Sequence, residues 1–257
     1  MRFLLSAVLL AAFGVGHAQD LPALLQILRQ AERFDVRGEV TSSVYFPPRA
    51  NPTRTLDALP RVEFVPWLVR RNFTLGDAAS DKVAGRDAKR FDLTPSNANA
   101  SRWSIWVDVQ WHVPLAYEER SPSGDLIRRA SFERVQDAPR RRPNGSAARL
   151  PSAEFRRAVL AALPGLRLPS GFEPVRLLRS QRGLEIALSD GINVLALVIA
   201  DRNVRVGEGV FARKVGARFV WLVGNLPEAQ LRLVLGKISA VQQDKLGTFV
   251  SSADSNP

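Results

Sequence analysis

Cysteine is missing from this chain of 257 residues, and histidine occurs only twice. The first absence removes thiol catalysis, thiolate metal sites, iron–sulfur ligation and any disulfide. The second leaves almost nothing for a serine–histidine triad or a histidine-based zinc centre. His17 lies in an N-terminal segment expected to be removed, so His112 stands alone. It sits between Trp111 and Val113-Pro114 with no partner motif around it, and reads as a solvated turn residue. Apolar runs long enough to span a bilayer are missing from the body of the chain. A paired acid and base is missing too. The nearest candidates, Glu118 and Glu119, are adjacent, and adjacent strand residues face opposite ways, so they cannot converge on one bond. No cofactor and no metal are expected, and an enzyme is the least favoured class.

The N-terminus reads MRFLLSAVLLAAFGVGHAQD. Arg2 supplies a positive start, Phe3 to Val15 an apolar run, and Gly16-His17-Ala18 the small residues of a cleavage triplet. This is the three-part pattern of a secretory signal peptide over residues 1–18, cut near Ala18. No cysteine follows the cut, so a lipidated N-terminus is excluded. An exported protein without disulfides must be held by its core, which this length permits.

Net charge is +11, nearly all of it from arginine. Basic charge can meet nucleic acid, anionic lipid or an acidic protein segment. Export argues against nucleic acid. The arginines are dispersed except for Arg140-Arg141-Arg142, within DAPRRRPNGSAARLPS. That stretch is rich in Pro, Gly and Ser and reads as a solvated linker over 137–151; a lipid or partner contact is the alternative.

The linker separates two patterned regions, 19–136 and 152–245, with a polar tail over 246–257 expected to be disordered. Leucines at helical spacing predict a helix from Leu21 to Phe34. Period-two alternation follows from Val40 to Tyr45. Ala50 to Pro60 reads as a loop, and Val62 to Val69 as an extended segment that Pro66 confines to an edge or bulge. Shorter strands are expected at Arg71–Leu75, Lys89–Leu93, Arg102–Asp108, Leu115–Glu119 and Leu126–Val135. Regular short strands after one helix argue for a curling antiparallel sheet. Beyond the linker, Ser152 to Leu163 reads as a helix and Glu173 to Arg179 as extended. Ser189-Asp190-Gly191 is a strong hairpin signal between two apolar strands. A second hairpin turns at Gly216-Ala217, and a final helix runs from Pro227.

Three of the five tryptophans fall between Trp103 and Trp111. Alternation places Trp103, Ile105 and Val107 on one face of the Arg102–Asp108 strand. Arg102, Ser104, Trp106 and Asp108 take the other. The first face reads as core. On the second, Trp106 is the lone apolar residue and can cap a core edge or line a wet groove. Trp111 belongs to the turn. The three indoles therefore do different jobs, which argues against an aromatic platform for nucleic-acid bases.

VAGRDAKRFDLTP followed by SIWVDVQWHVPLAYEERSPSGDLIRRASFERV resembles the RseB/MucB periplasmic regulators of sigma-E, within the wider LolA-type lipoprotein-carrier fold. The resemblance rests on Val83 to Arg86, Ala88, Trp106-Val107-Asp108, Pro114-Leu115, Gly124, Leu126 and Phe132. It continues through LPSGFE (Leu168 to Glu173), Ser189-Asp190-Gly191 and FVWLVGNLPEAQLRLVLGKI (Phe219 to Ile238). Both regions are covered, in order. The chain departs from the family where a threonine-glycine turn before Pro-Leu is replaced by Trp111-His112, since histidine takes a positive φ less readily than glycine. Tyr45 to Val69 has no counterpart in the resemblance.

The resemblance implies an α+β protein: a half-open antiparallel β-barrel with covering helices, followed by a smaller α/β domain. It implies binding rather than catalysis. The partner would be the periplasmic segment of a membrane anti-sigma factor. The ligand would be a lipid or lipoprotein acyl chain, in a groove lined by Val44, Phe64, Trp67, Phe73 and Trp106. A carrier of the LolA type is the second reading. It needs only the barrel, whereas the region after the linker looks like an added docking module.

Overall fold

The structure is a computed structural model describing residues 21–142, 153–180, 183–203, 207–247 and 249. The signal-peptide residues and most of the expected linker lie outside the described residues. The first region contains α1 (Leu21–Ala31), β1 (Phe34–Asp35), β2 (Gly38–Val44), β3 (Thr53–Leu56), α2 (Pro66–Asn72), β4 (Phe73–Leu75) and β5 (Ala79–Val83). It continues with β6 (Arg86–Pro95), β7 (Arg102–Asp108), β8 (Pro114–Arg120), β9 (Leu126–Val135) and β10 (Arg140–Arg141). The second contains α3 (Ala153–Ala162), β11 (Glu173–Ser180), β12 (Gly183–Ser189), β13 (Val194–Ala200), β14 (Val210–Val215), β15 (Arg218–Val223) and α4 (Glu228–Leu235), then a 3-10 turn, Gln243–Leu246.

An eight-stranded sheet runs in the order β3-β2-β9-β8-β7-β6-β4, with β5 also paired to β6. A five-stranded sheet runs β11-β12-β13-β15-β14. Every described strand pair is antiparallel. The large sheet does not close on itself, so the fold is α+β with an open sheet and no closed barrel. Its core gathers Leu24, Leu25 and Leu28 from α1 with Val40, Phe91, Leu93, Trp103, Ile105 and Phe132 from the strands. A second core packs Phe155 and Val159 of α3 and Leu231 and Leu235 of α4 against Ile186, Leu197 and Leu222. The hairpin expected at Gly216-Ala217 forms between Val210–Val215 and Arg218–Val223.

The segment from Val62 to Val69 departs from expectation. It was expected to be extended, yet Pro66 begins helix α2. Proline lacks an N–H and holds φ near the helical value, so it suits the first turn of a helix as well as a sheet edge. Burial decides: Leu68, Val69 and Asn72 fall on one helical face and are buried. β3 and β5 arise where no strand was expected. Their residues are almost wholly exposed, so no apolar alternation marks them. The β5–β6 turn uses Ala84 and Gly85, both at positive φ, as a two-residue hairpin of this hand requires. His112 also takes a positive φ, 54°, and is exposed in its turn, as expected.

The arginine triplet is not a free linker run. Arg140 and Arg141 pair as β10 with β1, and the Arg142 guanidinium meets the Asp35 carboxylate. Side-chain pairing with Arg142 lowers the pKa of Asp35. At the other end, Leu246 is fully buried and Phe249 lies against Phe155 at 5.0 Å between ring centroids. The chain is therefore still packed where the polar tail was expected to begin.

Candidate functional site

The five groove residues expected from the sequence do not share one environment. Phe73 and Trp106 are buried in the core of the large sheet, with Phe64 half-buried against it. Trp67 is exposed on α2 rather than turned inward on a strand, and Arg71 lies over its ring at 4.9 Å. Val44, half-buried at the end of β2, opens a cross-sheet row that continues through Arg128, Glu119 and Trp103.

From Trp103 on, β7 is buried on both faces, so of the two alternatives for Trp106, a core-edge cap or a wet groove, the wet groove is excluded. Ser104, Trp106 and Asp108 are covered along with Trp103, Ile105 and Val107. Trp106 donates its Nε1 proton to Asp81 Oδ2 at 2.6 Å, while Arg90 lies over its ring. The hydrogen bond from Trp106 holds the Asp81 pKa below its usual value. Arg86 stacks on Trp111 at 3.3 Å and donates from Nε to Asp108 Oδ2 at 2.5 Å. Burial pushes the Asp108 carboxyl up. Arg86 and the backbone N–H groups of Trp111 and Gln110 outweigh it, and the pKa is lowered. The indoles do serve three separate roles.

Trp103 leads to a buried polar cluster where the two sheets meet. Its Nε1 donates to Asn193 Oδ1 at 2.8 Å. Asn193 stands at the end of the β12–β13 turn, in the other sheet. Its Nδ2 donates to Ser101 O at 3.1 Å and to Asp190 Oδ2 at 2.8 Å. Asn225, just after β15, donates to Ser101 Oγ at 2.9 Å and to Glu119. Glu119 accepts from Arg128 Nε at 2.5 Å, and Arg128 lies over the Trp103 ring at 4.7 Å. These contacts close a ring through β7, β8 and β9 on one side and two turns on the other. Beside it, Asn72 Nδ2 of α2 donates to Gly171 O and Asp190 O, both at 2.8 Å.

Apolar packing and backbone register reinforce this junction. Ile192 belongs by contact to the core of the large sheet although its hairpin belongs to the small one. Val65 N donates to Gly191 O at 2.8 Å. Gly191 has φ of 124°, and a Cβ there would stand 2.5 Å from Val69 N; only glycine lets the turn approach α2 so closely. The Ser-Asp-Gly signal was read as a hairpin and as part of the family resemblance, not as a contact between the sheets. Its docking role escaped the sequence, as did Asn72, Asn193 and Asn225. The available signal was a polar residue set beside apolar runs that bury it, since a buried carboxamide needs partners.

No helix among the described residues is long and apolar enough to cross a membrane. No group of three or more metal-ligating side chains occurs among them.

No protein-family model and no curated protein matches the chain. Solved structures do. MucB alone aligns with a TM-score of 0.59 at 17% identity, over 86% of this chain and 98% of that one. MucB in complex with MucA(peri) gives 0.56 at 17% identity, over 84% and 97%. The Pseudomonas aeruginosa MucA/MucB complex gives 0.57 at 16% identity, over the same shares. Coverage takes in both sheets and nearly the whole of each MucB chain, so this chain has the RseB-like fold of MucB.

Proposed function

We propose that this chain is an exported, non-enzymatic binding protein of the RseB kind, acting in regulation of an envelope-stress sigma factor. The observation that carries this reading is the extent of the MucB likeness. It spans 84% of the chain in the complex with MucA(peri), including the five-stranded sheet that a simple carrier would not need. In this reading residues 1–18 direct export to the periplasm. The regions 19–136 and 152–245 act as two units, and the partner is the periplasmic segment of a membrane anti-sigma factor. The excess of arginine favours an acidic stretch of that segment, with binding that weakens as salt rises.

The same reading gives the large sheet an acyl or lipoprotein ligand. Val44, Phe64 and Trp67 are the accessible members of the proposed groove. Phe73 and Trp106 are buried in the core and would be reached only by a chain that enters it. Each methylene buried there would contribute about 0.8 kcal/mol. Partner and ligand then oppose each other through one two-state equilibrium, and the coupling must be reciprocal.

The test is a titration of the mature chain with the exported segment of an anti-sigma factor from the same genome, repeated with a fluorescent fatty acid or lipopeptide present. Saturable binding of the segment, weakened by the lipid probe, is expected. Lipid uptake with no binding of the segment would replace the regulator by a carrier. Failure of both would remove the reading.

A further inference from the structure

We infer that the Ser189–Asn193 turn is a proton-responsive latch that fastens the five-stranded sheet to the eight-stranded one, with the Asp190 carboxyl as its titrating group. The argument begins with what surrounds that carboxyl. Asp190 is 1% exposed. Its Oδ1 accepts from the backbone N–H of Asn193 at 2.9 Å and of Ile192 at 3.2 Å, and its Oδ2 from Asn193 Nδ2 at 2.8 Å. All three donors are neutral. No lysine or arginine pairs with it among the described residues.

The charged groups on the neighbouring elements are committed elsewhere. Glu119 of β8 faces it as a like charge and is held by Arg128 of β9. Arg71 of α2 pairs with Glu173 of β11, which Arg156 of α3 also meets. A carboxylate without a cation in such a place is costly, and the ordinary remedy is to take up a proton. Burial accordingly raises the pKa of Asp190 to about 6, against the three hydrogen bonds that pull it down, and Glu119 adds to the rise.

The geometry makes this a matter of the junction rather than of one residue. The carboxyl is joined to Trp103 by two hydrogen bonds through the Asn193 carboxamide, and its own backbone oxygen holds Asn72. Its neighbours Gly191 and Ile192 are lodged against α2 and the large core. Releasing the turn exposes the carboxyl to water and returns its pKa to the ordinary value near 3.8. The folded pKa is the higher one, so the closed latch is favoured fully below about 3.8 and loses that advantage as pH rises through about 6. The shift corresponds to about a hundredfold change in the closing equilibrium between the two limits. This inference goes beyond the regulator reading and does not need a partner.

The experiment uses the full chain. The side-chain carboxyl carbon of Asp190 and the Trp103 indole N–H are followed by NMR from pH 4 to 8. Amide exchange at Val65, whose N–H is bonded to Gly191 O, is measured over the same range. Both resonances should titrate with a midpoint near 6. Val65 protection, corrected for intrinsic exchange, should fall by up to about a hundredfold towards pH 8. In Asp190→Asn the Trp103 titration and the pH dependence at Val65 should both vanish. An Asp190 carboxyl that titrates near 4 overturns the inference without any variant, so the test survives if Asp190→Asn fails to fold. A Trp103 titration that persists in a folded Asp190→Asn overturns it equally.

Discussion

Trp103 and Trp106 are three residues apart on one strand, and their environments rank their contributions. Trp103 is 1% exposed, packs on Tyr117 and Arg128, and gives its only donor to Asn193 across the junction. Trp103→Ala should cost about 3–5 kcal/mol by the cavity it leaves. Trp103→Phe should keep much of the packing and still cost about 1–3 kcal/mol, because Asn193 Oδ1 loses its buried donor. Trp106→Ala should cost less than Trp103→Ala, since its indole is capped by the exposed residue Asp81 and partly exposed Arg90. Urea midpoints of the three variants measure the order; a larger loss at Trp106 would invert it. Asp108 adds a pH dependence. Its folded pKa is depressed, so its contribution is present above about 3.8 and is lost as pH falls through the lower folded value. Arg86→Ala should flatten the acid limb of a stability–pH curve. The face of Trp103 was legible from alternation alone. The cover over Trp106 was not, because Asp81 comes from β5, a strand with no apolar signal of its own.

Among the elements, those with an apolar stripe or a strong turn were readable, and those made by tertiary contact were not. α1, α3 and α4 each carry a buried stripe at helical spacing, and β7 and β9 have the bounds their patterns predict. α2 was misread because proline serves both a sheet edge and a first helical turn, and only the packing of Leu68 and Val69 separates the two. β1 and β10 are two residues each; no local pattern exists at that length, and the pair is fixed by Asp35 meeting Arg142. Two predictions follow from these contacts. Asp35→Ala should free β10 and speed tryptic cleavage after Arg140 and Arg141 several-fold over the parent chain; an unchanged rate would mean that β10 is not held by that ion pair. Gly191→Ala should separate the turn from α2, because its φ of 124° and the 2.5 Å approach to Val69 N both forbid a Cβ. It should lower stability by more than about 1 kcal/mol and increase exchange at the Val65 amide, whereas Gly85→Ala, with open space around it, should leave that amide unchanged.

At the scale of the molecule, two sheets with separate cores raise the question of whether they unfold together. What joins them is mixed in kind. Around the rim, Arg176 meets Glu63 at 2.6 Å, and Asn97 donates to Ser170 O at 3.0 Å; exposed pairs of this sort contribute about 0–1 kcal/mol. At the centre, the bonds of Asn72, Asn193 and Asn225 are buried or part-buried. Each is worth about 1 kcal/mol when made, and more is lost when one partner is left orphaned. Ile192 adds apolar burial from one sheet into the core of the other. The coupling is therefore concentrated in a few side chains of the Ser189–Asn193 turn and its partners. The parent chain should unfold in one cooperative step, and Asn72→Ala combined with Asn193→Ala should split it into two. Tryptophan placement gives the readout. Trp67, Trp103, Trp106 and Trp111 belong to the large-sheet half and Trp221 to the small sheet. In a Trp221→Phe background, emission reports the large-sheet half alone, while far-ultraviolet circular dichroism reports both. Coincident urea curves in that background, which separate once the two asparagines are replaced, would place the coupling at the junction. Curves that already diverge with both asparagines intact would show that the sheets are independent, and that the ring around Asn193 positions them without binding their stabilities together.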